Sequence, residues 1–412
     1  MPISFEPAPS TLRARDYYHQ VALERMRPLS RRYDEQEHDL PAEWVEWYWK
    51  EGRFASPGRV EEGEEGDGMV QVCVQAEELC WGDAALYLRM PTPALGGSAV
   101  AAAGTPEQRE KFLSRFRQEG GQPIWGAMAI TEAGAGSDAA AIQTTATWDE
   151  ASREWVLNGT KIFCTAGEGA SQHQGGFVVV WATVDKSAGR AGIKSFVVPA
   201  GTPGMKLVGM EKKLGIRASD TATLVFEDCR VPADHLLGSA EVKKRDPSRS
   251  GDKGFKGAMA TFDASRPIVA AMAVGVGRAA LDATVEALAE DGLAVRWDGG
   301  LHTWSALERD LVEMHGELQA ARLLTWRAAR MISQGKRNSL EASMAKAKAG
   351  LAVTRITQKA VELLGPLGYS RKGLVEKWMR DAKINDIYEG TQQINQLIVA
   401  RRILDYPSSM LR

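Results

Sequence analysis

The spacing of hydrophobic positions changes twice along the chain. Over residues 1–123 apolar side chains recur at helical intervals, as at Ala76, Leu79 and Cys80, with Asp83 on the same face. Thr105-Pro106-Glu107-Gln108 reads as a helix start, with Thr105 as N-cap and Pro106 in the first turn. The acidic, glycine-rich stretch Glu61–Asp67 reads as a solvated loop. Over 124–240 the period shortens. Thr144–Trp148 and Trp155–Leu157 predict two strands around a polar turn, and Phe177–Trp181, Ser195–Val198 and Thr223–Phe226 are further β-rich runs, which together suggest a barrel or sandwich. Over 241–412 the helical period returns: Leu307, Leu311, Met314, Leu318 and Ala321 step by fours and threes, as in a bundle helix. Gly365-Pro366-Leu367-Gly368 ends a later helix, and the charged stretch 241–253 reads as an exposed loop.

Composition narrows the class. With 53 acids against 51 bases, the net charge of −2 argues against a nucleic-acid binder. Cys73, Cys80, Cys164 and Cys229 form no C-x-x-C pair, and H-E-x-x-H is absent, so neither a disulfide framework nor a metal site is expected. The longest apolar run, Ile268–Gly277, is about half the ~20 residues of a membrane span. The N-terminus lacks signal-peptide and transit-peptide patterns, and the expected location is cytoplasmic.

Gly134-Ala135-Gly136-Ser137-Asp138-Ala139 matches G-x-G-x-x-A, with Glu154 twenty residues on. A strand hairpin follows where a Rossmann turn must open a helix, and the second match, Gly275–Ala280, lies inside a helical run, so both are set aside. The surroundings of the first match are more informative. The stretch Met128–Asp138, which includes Ile130, places the Thr131 and Ser137 hydroxyls beside a glycine turn that a flat, polar ring could approach. Phe163 and Thr165, two apart on a predicted strand, share a face and could stack on and hydrogen-bond such a ring. Glu389, between Tyr388 and Gly390, is a carboxylate in partly apolar surroundings, a candidate base near neutrality.

Taken in order, ITEAGAGSD, NGTKIFCTAG, LGIRASDTATLVFEDCRVP, FDASRP and DAKINDIYEGTQQI resemble the acyl-CoA dehydrogenase family across nearly the whole chain. The resemblance implies an α+β multidomain fold: an N-terminal helical domain, a middle β-barrel and a C-terminal four-helix bundle. It implies α,β-desaturation of an acyl-CoA thioester, with Glu389 abstracting the α-proton and hydride passing to FAD. Flavin contacts carry over to Met128, Ile130, Thr131, Ser137, Phe163, Thr165, Thr391 and Gln393, and substrate contacts to Ser137, Asp263, Arg266, Tyr388 and Gly390. Implied partners are the acyl-CoA, an electron-transferring flavoprotein, and a second copy in a homodimer or homotetramer.

Departures from the family pattern fall at its inter-subunit flavin grip. The R-x-x-F-G element and its later glutamine read here as Ala294-Val295-Arg296-Trp297-Asp298 and Ser305, and Q-x-x-G-G-x-G reads as Glu362–Gly368 with Pro366. These departures resemble heteromeric family members, in which a partner chain completes the flavin site. A weakly active or non-catalytic subunit of a heteromer, and an acyl-CoA oxidase, are therefore the alternatives. Met90-Pro91-Thr92-Pro93 falls where the family binds the acyl tail.

Overall fold

The computed structural model describes residues 6–242 and 256–406; residues 243–253 of the expected charged loop lie outside that range. Six helices lead: α1 (Pro9–Val21), α2 (Arg27–Glu35), α3 (Ala42–Lys50), α4 (Met69–Leu88), α5 (Ala94–Ala103) and α6 (Pro106–Leu113). Seven strands follow: β1 (Gly126–Ala129), β2 (Thr145–Asp149), β3 (Glu154–Thr165), β4 (Phe177–Thr183), β5 (Ile193–Pro199), β6 (Met205–Met210) and β7 (Thr221–Pro232), with the short helix α7 (Gly167–Gln172) after β3. The last helices are α8 (Lys256–Glu290), α9 (Ala306–Ser333), α10 (Ser339–Tyr369), α11 (Val375–Ala382) and α12 (Gln392–Ile403).

The helix signals act as expected, with two refinements. Thr105 forms a reciprocal capping box with Gln108. Asp83 is buried on α4, but its backbone leaves the helical region and its carboxylate accepts the Leu86 amide at 2.9 Å. It therefore works as an N-cap inside the helix and marks a kink. Gly365 takes φ +52° and breaks α10 before Pro366. The Glu61–Asp67 stretch is a loop, but it is not simply solvated. Asp67 is buried and accepts from Thr11, and Glu64 pairs with Arg13.

The sheet runs β1-β4-β2-β3-β7-β6, with β5 also on β4. Side chains from β1, β2, β3, β4, β5 and β7 meet in one core, so the sheet rolls around it as a barrel. Strand β4 is apolar throughout because both its faces are covered. Val178, Val180 and Ala182 enter the barrel core, while Phe177, Val179 and Trp181 join Ala99, Val100 and Phe112 of α5 and α6. Helix α8 is apolar enough over Met259–Glu290 to cross a membrane by length and composition, but 72% of its most apolar window is buried inside the protein. Its close approach to α4 needs Gly275, where a Cβ would stand 2.2 Å from the Glu77 carbonyl.

Buried ions stitch the three parts together. Arg89, at the end of α4, pairs with Asp220 and with Glu168 (2.8 Å) of the barrel. Lys377 of α11 bridges Asp83 (2.8 Å) and Asp381 (2.5 Å), and Asp381 accepts the Ile216 amide at 2.6 Å. These contacts hold the 214–220 loop against the segment that leads to Glu389. The four cysteines are free and buried.

Candidate active site

Glu389 follows α11 and has a left-handed backbone, φ +54°, with Gly390 at +91°. A non-glycine residue in this region is strained, and such strain persists only where surrounding contacts enforce it. The enforcing contacts come from three helices. Arg266 of α8 donates through Nε to the Glu389 carbonyl (3.4 Å), and Lys346 of α10 donates to the Gly390 carbonyl (2.7 Å). Asn395 of α12 donates to the same Gly390 carbonyl (2.8 Å). Thr391 caps α12 by accepting the Ile394 amide, which fixes where the helix resumes.

Among the described residues the Glu389 carboxylate accepts one hydrogen bond, from the Ser265 hydroxyl at 2.5 Å. The side chain is densely surrounded yet partly accessible. Burial raises its pKa above the usual 4.5, opposed by Ser265, Arg266 and Lys346.

Arg266 is itself held by Asp263 (3.0 Å) and Ser343 (3.4 Å). Pro267 cannot donate to the Asp263 carbonyl four residues earlier, and the Asn338 side chain donates there instead (3.1 Å). The proline break and its repair thus set the α8 segment against the α9–α10 turn. Beside them opens a cleft of ≈ 480 Å³ lined by Met259, Asp263, Lys336, Arg337 and Asn338, among others.

The barrel contributes a platform. Lys161 is fully buried and donates to Glu132 (2.7 Å) and to the Ile130 carbonyl (3.0 Å). Glu132 also accepts from Gln143 and Thr144, so the 130–137 turn is pinned to β3 through Lys161 and to the residues that lead into β2. A bulge falls in β3 between Lys161 and Cys164, with Phe163 at φ +57°. It reverses the alternation, so Phe163 is 57% exposed although Lys161, two residues earlier, is fully buried. Thr165 lies beyond the bulge, half-buried, while Cys164 and Ala166 face the core. Met128 and Ile130 are buried, Thr131 half-buried and Ser137 exposed on the open turn. Phe262 of α8 packs on the cluster that contains Met128 and Ile130, which brings the platform beside the α8 segment that carries Asp263, Ser265 and Arg266.

Glu389, Gly390, Thr391, Asp263 and Arg266 therefore form one group, and the platform residues another. Gln393 is exposed on α12. Tyr388 packs against the bundle core and donates to Asn385 (3.1 Å). The Met90–Pro93 segment is the α4–α5 connection, and Gly126 of β1 donates to the Thr92 carbonyl. Sequence reasoning missed Ser265, Lys346, Asn395 and the cleft cations. One signal was available: Lys346 falls on the buried stripe Ala342, Ala345, Ala349, Ala352 and Val353, where a lysine is out of place.

Arg296, in the segment that departs from the family's flavin grip, is engaged with its own loop and the start of α9. It holds Glu308 through Nε and Nη2 (both 2.7 Å) and the Thr303 carbonyl (2.7 Å). Ser305 is the N-cap of α9, and Glu362 is exposed and pairs with Lys359.

A strained, densely surrounded carboxylate on the helical side and an exposed aromatic face with flanking hydroxyls on the barrel, in a helix–barrel–bundle frame, suit a flavin-dependent oxidoreductase. Family models match the acyl-CoA dehydrogenase N-terminal domain (residues 9–119), middle domain (127–229) and C-terminal domain (252–404). The short-chain specific acyl-CoA dehydrogenase of Bos taurus mitochondria is 39% identical over 92% of this chain and 86% of its own length. The acryloyl-CoA reductase (NADH) of Anaerotignum propionicum is 34% identical over 92% and 90%. The solved butyryl-CoA dehydrogenase of Megasphaera elsdenii superposes with a TM-score of 0.81 at 31% identity, covering 98% of this chain and all of that one. The chain belongs to the acyl-CoA dehydrogenase family. It is accordingly an FAD-dependent oxidoreductase that acts on acyl-CoA.

The platform suits the ring of such a cofactor: an exposed aromatic face, flanking hydroxyls, and Gly134 and Gly136 with nothing within 4 Å of where a Cβ would stand.

Proposed function

We propose that this chain desaturates short acyl-CoA thioesters, with Glu389 as the base that removes the α-proton. The observation that carries the reading is the strained, densely surrounded Glu389 carboxylate, raised above the ordinary carboxylate value by burial and, among the described residues, held by one hydroxyl donor. A general base works best when its pKa approaches the working pH. The backbone N–H of Glu389 supplies a donor to the thioester carbonyl as enolate charge develops. Bound FAD on the Phe163 platform supplies the acceptor for the β-hydride. Thr131, Ser137 and Thr165 offer the ring polar partners, and Thr391 and Gln393 follow the base toward the same cofactor.

The cleft beside Asp263 suits the nucleotide end of CoA. Lys336 and Arg337 supply positive charge that a diphosphate would neutralise. Short-chain substrates are supported by the relatives named above. An electron-transferring flavoprotein as acceptor, a homo-oligomer and a cytoplasmic location complete the proposal. Arg296 and Glu362 are engaged in intrachain pairs, which favours an arrangement in which a neighbour's flavin is held by other groups.

Anaerobic mixing of the purified holoenzyme with a series of acyl-CoA thioesters tests the reading. Flavin bleaching fastest at four to six carbons supports it, and no bleaching with any straight-chain thioester contradicts it.

A further inference from the structure

Lys346 contacts the Glu389 turn from a face where a lysine is out of place, and its charge there needs a reason. The side chain is 1% exposed, on the face of α10 that otherwise carries alanine and valine. Burying an ammonium is expensive unless something answers its charge. Among the described residues Lys346 makes no ion pair within 4 Å. It has one hydrogen bond, to the Gly390 carbonyl, and lies 5.8 Å over the Tyr388 ring. The charged groups acting on it are Glu389 and Asp386 from the segment after α11 and Arg266 from α8. Two of these, Glu389 and Arg266, belong to the base and its cradle.

We propose that Lys346 is a positioning residue for the base: with Asn395 it holds the left-handed Glu389–Gly390 turn through the Gly390 carbonyl, and it sets a buried positive charge one residue from the Glu389 carboxylate. The proposal rests on reading Glu389 as the base. The two roles belong together. The turn is strained and needs an external anchor, and a buried base needs a counter-charge to stay ionised at neutral pH. Asn395 already donates to the same carbonyl at 2.8 Å, so a neutral donor alone would satisfy the hydrogen bond. What lysine adds is charge. Burial draws Lys346 down to about 8, while Glu389 and Asp386 favour its charged form. The lysine therefore still carries its proton at neutral pH.

Lys346→Gln removes the charge and retains a donor, and Lys346→Met removes both. Each is compared as holoenzyme with the native protein, by stopped-flow flavin reduction with butanoyl-CoA across the pH range. In both variants the acid limb of the rate profile is expected to move up by about one pH unit, because an opposite charge lost beside a carboxylate raises its pKa. KM is expected to stay within about two-fold, and Lys346→Met to match Lys346→Gln, because Asn395 still holds the Gly390 carbonyl. Lys346→Arg, which keeps the charge, is expected to retain the native acid limb. An unmoved acid limb in both uncharged variants, with activity falling only in step with flavin content, overturns the proposal. Glu389→Gln run alongside separates the two readings, since native flavin reduction in that variant would overturn the base assignment itself.

Discussion

The Ser265 hydroxyl donates to the Glu389 carboxylate across 2.5 Å, from a helix more than a hundred residues earlier in the chain. It is the hydrogen bond that favours the ionised base. Ser265→Ala removes it and leaves burial less opposed, so the Glu389 pKa rises. A larger share of the base is then protonated at a given pH. The pH–rate profile of flavin reduction is expected to shift its acid limb upward by about one unit, with a loss of about ten-fold below that limb.

The native acid limb itself is expected above the ordinary carboxylate value of 4.5, because burial raises Glu389. The linkage to stability has the matching sign. A carboxyl whose pKa is higher folded than unfolded binds more protons in the folded state, so its contribution favours folding at low pH. That contribution is lost as pH rises through the folded pKa. Glu389→Gln is therefore expected to leave stability at neutral pH unchanged or slightly raised, as read by urea unfolding.

Phe163 gives a separate prediction for the platform. Phe163→Ala removes an exposed aromatic face and should weaken FAD binding by about ten-fold, equivalent to about 1–2 kcal/mol of stacking and contact. Flavin retention during gel filtration, with free FAD titrated back, measures the change. Lys161→Met acts from beneath. It leaves Glu132 buried without its cation, and removing one partner of a buried pair costs about 3–5 kcal/mol.

The cleft makes a prediction about substrate shape. Arg337→Ala is expected to raise KM for acyl-CoA by about ten-fold through loss of a charge-assisted contact. It should leave KM for an acyl-pantetheine thioester unchanged, because that substrate lacks the diphosphate. Equal effects on both substrates would place the nucleotide elsewhere.

Packing between α4 and α8 yields a test of the frame. Gly275→Ala sets a Cβ 2.2 Å from the Glu77 carbonyl, a backbone atom that cannot swing away. Destabilisation of about 2 kcal/mol or more is expected in thermal or urea unfolding.

Much of this architecture could be read from the chain. Local signals carried the helix starts and strands, as at Thr105 with its capping box and in the apolar run of β4. Glu389 and its neighbours Asp263 and Arg266 were singled out through short motifs. What escaped depends on contacts far apart in sequence. Ser265, Lys346 and Asn395 gain their meaning only where α8, α10 and α12 converge on the Glu389 turn. The bulge that turns Phe163 outward and the kink at Asp83 arise where tertiary contacts override the local period. Asp67 read as a loop acid because its partners Thr11 and Arg330 lie 56 residues before it and 263 after it.

The most direct test of the central claim is single-turnover flavin reduction by Glu389→Gln holoenzyme under anaerobic conditions. The variant is expected to bind FAD and acyl-CoA normally and to reduce its flavin about a thousand-fold more slowly, as loss of a general base requires. Flavin reduction at the native rate would show that another group removes the α-proton.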